Sequence, residues 1–121
     1  MSYDYDPITQ VTDELLTVDE AMLDGLQAFR NGPKLAGLYG PDRERLMKAL
    51  NELSDVLLRE IGANPRKAWV MVHFQKVLKL APPDAETCRH YGKELVRLMD
   101  IMRIQSSDGL LNYYLSPASA G

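Results

Sequence analysis

Apolar residues recur every three or four positions along most of the chain, which is the spacing of amphipathic helices. Stretches rich in glycine, proline and asparagine, which commonly end helices, separate four stripes of this kind. The stripes predict four helices, over residues 17–31, 41–61, 65–81 and 84–103. A capping box of Thr17 and Glu20 begins the first helix, and Asp84 caps the fourth.

The residues predicted to face the core follow the same spacing. They are Leu15, Val18, Met22, Leu26 and Phe29 in the first helix, Leu46, Leu50, Leu53, Leu57 and Ile61 in the second, Val70, Phe74, Val77, Leu78 and Ala81 in the third, and Cys88, Tyr91, Leu95, Leu98 and Met102 in the fourth. Met47, Val56 and Leu58 broaden the apolar arc of the second helix, so we expect it to be covered on more than one flank. A homodimer is compatible with this arc, because a second copy would cover apolar surface that one small bundle leaves exposed.

A short fifth helix is predicted near the end of the chain, where the stretch IQSSDGLLNYYL spans residues 104–115. Ser106 or Ser107 provides an N-cap hydroxyl for a helix that begins at Asp108. No segment alternates apolar and polar residues as a strand does. We therefore predict an all-α fold, a compact bundle of four helices plus a short C-terminal helix, in a single domain over residues 1–121. In this prediction residues 1–14 are a flexible acidic arm and residues 116–121 are a tail.

The end of the chain also resembles a known family. The stretch MDIMRIQSSDGLLNYYL, residues 99–115, is similar to the closing signature of a family of small, functionally uncharacterised bacterial domains that are all-helical. The resemblance implies a bacterial origin and a compact helical fold, and it brings no catalytic residues. Function must therefore be argued from sites rather than from the fold.

Charge is distributed unevenly along the chain. Seven of the 17 acidic residues lie in the first 24 residues, which have no lysine or arginine, so the other 97 residues carry 14 basic and 10 acidic residues. Either this asymmetry steers a charged partner, or the acidic arm folds over the chain's own basic face. The single cysteine, Cys88, excludes an internal disulfide, the first residues do not resemble a secretory signal, and no apolar run approaches the roughly 18 residues of a membrane span. We expect a cytoplasmic protein.

Candidate catalytic and metal sites are weak in this sequence. Ser107 and Asp108 would serve a small hydrolase only if the fold brought His73 or His90 to them as a base, and helix capping explains the same two residues. Glu86 and His90 have the i,i+4 spacing of metal ligands, but neighbouring basic residues disfavour a cation there. We therefore expect no enzyme activity, no metal and no cofactor.

The shoulder of the third helix is the predicted partner-binding surface. Trp69, His73 and Lys76 lie together at the edge of its apolar stripe, and tryptophan is enriched among the residues that dominate interfaces. In the alternative, Trp69 only covers the edge of the bundle and His73 bonds a nearby carbonyl. The leading hypothesis is a non-catalytic protein-binding domain, such as a bacterial immunity or regulatory protein that binds a toxin or effector.

A nucleic-acid-associated protein is the second hypothesis. Residues 65–103 carry eight basic residues against four acidic ones, and such a surplus attracts phosphates. The basic residues are Arg66, Lys67, Lys76, Lys79, Arg89, Lys93, Arg97 and Arg103. Because acidic residues are interspersed among them and the whole chain has a net charge of −3, this hypothesis ranks below protein binding.

Overall fold

A computed structural model describes residues 6–115 of the chain. Its helices are α1 (Glu20–Asn31), α2 (Pro41–Glu60), α3 (Lys67–Leu78), α4 (Ala85–Ile101) and α5 (Leu110–Leu115), and a short 3-10 turn (Pro7–Gln10) precedes them. No strand occurs among the described residues, so the prediction of an all-α fold with four helices and a short C-terminal one is confirmed.

The helices form a closed ring around one core. α1 packs against α2 and α4, α2 also packs against α3, and the short α5 lies against both α3 and α4. Leu50, Phe74 and Tyr91 are fully buried in this core. The Tyr91 hydroxyl donates to the carbonyl of Val77 at 2.8 Å, so this buried polar group keeps a hydrogen-bond partner and ties α4 to α3.

The apolar arc of α2 is covered by the helices on either side of it. Met47 and Leu58 pack against the core, and none of the large apolar side chains that are exposed within residues 6–115 belongs to α2. The arc therefore no longer points to a second copy of the chain, and the homodimer stays a prediction. Of the twenty residues predicted to face the core, only Leu15, Val18 and Ala81 are not buried.

The start of α1 differs from the prediction. Asp19, rather than Thr17, is the N-cap, and its Oδ1 accepts a hydrogen bond from the amide of Met22 at 2.9 Å. The Arg103 guanidinium donates to the Thr17 carbonyl at 3.2 Å and to Asp19 Oδ2 at 3.0 Å. These contacts with the end of α4 hold residues 17–19 outside the helix, which the local sequence does not reveal.

The prediction that Leu15 faces the core is wrong, because this part of the chain is extended. Leu15 forms an antiparallel bridge with Arg66, in which the Leu16 amide donates to Pro65 at 2.7 Å and the Lys67 amide donates to Glu14 at 2.9 Å. Successive side chains of an extended segment point to opposite sides. Leu16 is accordingly buried, whereas Leu15 is 70% exposed.

Two other helix ends also differ from their predicted positions. The amides of Leu80 and Ala81 close tight turns with the carbonyls three residues earlier, so α3 ends at Leu78, shortly before a pair of prolines that disfavours helix. Asp108 has a left-handed φ of 54°, so α5 begins two residues later than predicted. Ser107 caps it as expected, since its Oγ accepts from the Leu111 amide at 3.2 Å.

Residues 6–16 lie against the start of α3 and the loop before α5. The Asp13 carboxylate is 3.6 Å from the Arg66 guanidinium and accepts a bond from the Ala68 amide at 3.0 Å. Lys67 Nζ lies 2.8 Å from Asp108 Oδ2 and 3.5 Å from Glu14 Oε2, and the Lys67 side chain is only 3% exposed. These contacts match the alternative in which the acidic arm folds onto the chain's own basic residues. The rest of the predicted arm (residues 1–5) and the tail (residues 116–121) lie outside the described range.

Candidate functional site

A groove between α2 and α3 brings together two of the three predicted partner-binding residues. It has a volume of about 220 Å³ and walls that are apolar except at three side chains. The lining residues are Ala49, Glu52, Leu53 and Val56 from α2, and His73, Lys76, Val77 and Leu80 from α3 and the turn after it.

Helical spacing places these residues along the groove. Residues three or four positions apart share one face of a helix, so each helix contributes a row of side chains that spans about two turns. Ala49, Leu53 and Val77 are buried and belong to the core, whereas Leu80 is 42% exposed. The groove therefore has a fixed apolar floor and an accessible apolar rim.

Trp69 lies next to the groove but does not line it. Its ring meets the His73 ring edge-on, with 4.6 Å between the ring centroids, and it packs on the core from the side. Trp69 thus covers the edge of the bundle, as the alternative interpretation expected. His73 makes no hydrogen bond to a carbonyl within residues 6–115, so the second half of that alternative does not hold there.

The surroundings of His73 favour its neutral form. Burial is the main cause that lowers the pKa of His73 below its ordinary value of 6.5, the Lys76 ammonium lowers it further, and the Glu60 carboxylate opposes them. Lys76 makes no ion pair among the described residues, and Glu52 supplies the opposite charge on the α2 wall. The groove thus offers apolar contacts, one neutral imidazole and one charge of each sign.

Ser107 and Asp108 do not meet an imidazole in the described part of the chain. Asp108 Oδ2 accepts bonds from Lys67 Nζ and from the Thr12 amide, each at 2.8 Å, and the Ser107 hydroxyl caps α5. His73 lies in the groove, and His90 packs against Gly37, with its Nε2 3.9 Å from Glu86. The arrangement that a serine hydrolase requires is therefore not assembled by residues 6–115.

The described part of the chain does not bring potential metal ligands together. Within residues 6–115 no three or more His, Cys, Asp or Glu side chains gather where a metal ion could bind. Glu86 is also 3.8 Å from the Arg89 guanidinium, which competes with a cation for its carboxylate. The single thiol, Cys88, is buried, and burial raises its pKa, so it stays protonated and packs as an apolar side chain.

The basic residues of positions 65–103 are largely engaged with carboxylates. Five of the eight form ion pairs, namely Arg66 with Asp13, Lys67 with Asp108, Arg89 with Glu86, Arg97 with Glu94 and Arg103 with Asp19. Two of these carboxylates lie in α4 itself and three in other segments of the chain. The ion pairs offset much of the positive charge that would attract phosphates.

Sequence reasoning found one wall of the groove and missed the other. The α2 wall left a signal in the breadth of the apolar arc of that helix, which includes Val56. Pairing that wall with His73 and Lys76 requires knowing that α2 and α3 are neighbours, which periodicity does not provide.

No helix within residues 6–115 combines the length and the apolar character that crossing a membrane requires. Comparison of the chain with known protein families, curated proteins and solved structures gives no match. The resemblance of residues 99–115 to a bacterial family therefore stays an expectation, and function has to be argued from the groove and its surroundings.

Proposed function

We propose that this chain is a non-catalytic binding domain for another protein, and that the groove between α2 and α3 receives an apolar side chain of that partner. The observation that carries the proposal is the accessible apolar groove with Leu80, His73 and Lys76 on its α3 side. Partner side chains that dominate an interface commonly fill pockets of this kind, surrounded by polar groups.

One side chain in the groove would not provide enough free energy for a stable complex. Burying one large apolar side chain contributes about 1.5–3 kcal/mol, which is less than association costs. The partner must therefore also touch the surface beside the groove. Trp69 and Val72, which is 42% exposed, supply such surface on α3.

The test compares two charge substitutions at equally exposed apolar positions. Leu80→Glu places a carboxylate on the rim of the groove, and Val96→Glu does so on α4, where Val96 is 44% exposed against 42% for Leu80. A tagged protein would capture partners from a lysate of its source organism, and the purified partner would be titrated against both variants. We expect Leu80→Glu to weaken binding by about tenfold or more, and Val96→Glu to leave it unchanged.

The amide signals of the ¹⁵N-labelled protein would locate the contact. Partner-induced shifts should concentrate on α3 and the facing turns of α2. Equal affinity of the two variants, or shifts confined to α4 and α5, would show that the groove is not the binding surface.

A narrower form of the proposal makes the partner a toxin or effector, and this chain its immunity or regulatory protein in a bacterial cytoplasm. It rests on the proposed groove, whose Glu52 and Lys76 offer one charge of each sign to a charged partner surface. Expression of the captured partner alone should then arrest growth, co-expression of this chain should restore it, and Leu80→Glu should not. If expression of the partner alone does not arrest growth, the toxin or effector proposal is wrong and the proposal of a protein-binding domain stands.

A further inference from the structure

A polar cleft of about 410 Å³ lies where the N-terminal arm, the start of α3 and the loop before α5 meet. It is separate from the groove between α2 and α3. Its lining includes Glu14 from the arm, Lys67 from α3, and Arg103, Gln105, Ser106 and Asp108 from the loop. Together with Thr12 of the arm, the lining thus holds two cations, two carboxylates and three neutral polar residues within one concave surface.

We propose that this cleft binds a small zwitterion of the α-amino-acid class. Its charged side chains sum to zero, with Lys67 and Arg103 against Glu14 and Asp108. A ligand with a single charge would be attracted by the side chains of opposite charge and repelled by those of the same charge. A ligand with a carboxylate and an ammonium group satisfies both.

Lys67 supplies the binding group for the ligand carboxylate. Its ammonium is buried and has three donors, of which Asp108 takes one at 2.8 Å. Glu14 Oε2 stands 3.5 Å away, and the Glu14 side chain is 61% exposed. Because this second contact is longer and open to solvent, an external carboxylate can replace Glu14 on the ammonium at little cost.

The displaced Glu14 carboxylate then becomes the acceptor for the ligand ammonium. Gln105 and Ser106 are exposed on the same wall and add an amide and a hydroxyl, which can bind either ligand group. The Arg103 guanidinium is engaged with Asp19, so it contributes positive potential rather than a direct contact.

The backbone of the loop is held in an uncommon conformation on both sides of these groups. Arg103 has a φ of 60° and Asp108 a φ of 54°, whereas residues with a side chain rarely adopt positive φ values. At Arg103 this φ accompanies the end of α4, where the Arg103 amide donates to Asp100 and the Ile104 amide donates to Met99. The loop that follows places Gln105 and Ser106 on the wall of the cleft.

The test is a titration of the ¹⁵N-labelled protein with L-serine and L-glutamine. The N-acetyl derivatives, which keep only the carboxylate, and the amides, which keep only the ammonium group, serve as matched controls. We expect saturable shifts of the Thr12, Ser106 and Asp108 amides, and binding of the zwitterions about tenfold tighter than that of either derivative.

Two variants and one control locate the ligand groups. Ser106→Ala should weaken binding severalfold, and Glu14→Gln should remove the preference for L-serine over N-acetyl-L-serine. Glu52→Gln, in the groove between α2 and α3, should change neither. The proposal is overturned if no probe gives saturable shifts up to about 50 mM. Equal binding of the single-charge derivatives, or shifts remote from the cleft, would overturn it too.

Discussion

Lys67 is a charged residue in a position where most proteins place an apolar one. Its side chain is only 3% exposed, and its ammonium contacts the Asp108 carboxylate of the loop before α5 and the Glu14 carboxylate of the arm. A buried charge is tolerated only when it is paired, and removing one partner leaves the other uncompensated. This one side chain therefore ties both the arm, through Glu14, and the loop before α5, through Asp108, to the start of α3.

We expect Lys67→Met to lower the free energy of unfolding by about 1–3 kcal/mol, because it leaves Asp108 without its cation while keeping the volume of the side chain. Urea denaturation at pH 7 would measure the loss. Lys93→Met is the matched control, since Lys93 is exposed on α4 and makes no ion pair among the described residues; it should change stability by less than about 0.5 kcal/mol. Equal stability of the two variants would contradict the role given to Lys67.

The helices themselves were predictable from periodicity, as were the bounds of α2 and the Asp84 cap of α4, but the start of α1, the end of α3 and the start of α5 were not. The apolar stripes correctly place α1 to α4, since seventeen of the twenty predicted core residues are buried. The start of α1 fails because Arg103 draws Thr17 and Asp19 out of the helix, a contact between residues more than 80 positions apart. The local sequence cannot show whether Thr17 or Asp19 is the N-cap, because the distant side chain of Arg103 decides between them.

Close packing between helices leads to a prediction for two glycines. A Cβ on Gly25 of α1 would lie 2.9 Å from Cγ2 of Ile101, a stiff β-branched side chain, whereas a Cβ on Gly92 of α4 would lie 3.1 Å from Cδ1 of Leu115, the end of a flexible one. Replacing a glycine inside a helix by alanine gains about 0.5–1 kcal/mol when nothing obstructs the new methyl group. We expect Gly92→Ala to keep this gain, and Gly25→Ala to lose it to the clash with Ile101.

Urea denaturation of both variants would decide the matter. In the double variant Gly25→Ala/Ile101→Ala the clash is absent. The loss of free energy of unfolding in the double variant should therefore be smaller than the sum of the losses in the two single variants. Gly25→Ala as stable as Gly92→Ala would show that α1 and α4 can separate without cost.

For the molecule as a whole, acid should weaken the fold in two steps. Neutral His73 is favoured in the folded chain, so its contribution is complete above pH 6.5 and is lost as the pH falls through its lowered pKa. Hydrogen bonds likewise lower the pKa of Asp108, chiefly the bond from Lys67, so its contribution is complete above about pH 3.8 and is lost below that.

Urea denaturation between pH 3 and pH 7 would therefore show stability that falls slightly from pH 7 to pH 5 and steeply below pH 4. His73→Gln should remove the first step and keep the second. A His73→Gln profile that still declines between pH 7 and pH 5 would assign that step to another group.

The two sites differ in how much of them the sequence could predict. Trp69, His73 and Lys76 share a helix face, so spacing alone groups them, and the structure places two of them in the groove. The polar cleft joins residues from three segments, and Lys67 and Asp108 are 41 positions apart. An ion pair between residues so far apart produces no pattern in the sequence. From the sequence alone, Lys67 was therefore named only as one of eight basic residues.

The hydrogen bond from the Thr12 amide to Asp108 joins residues 96 positions apart. It brings the N-terminal arm against the loop before the last helix. Loop-closure entropy makes such a contact among the last to form during folding. It also places both ends of the described chain side by side, the arrangement in which circular permutation is tolerated. Residues 36–40, of which only Leu38 is buried, connect α1 to α2, so a chain opened there, with the ends of the described chain joined, would give the same packed helices in a new order.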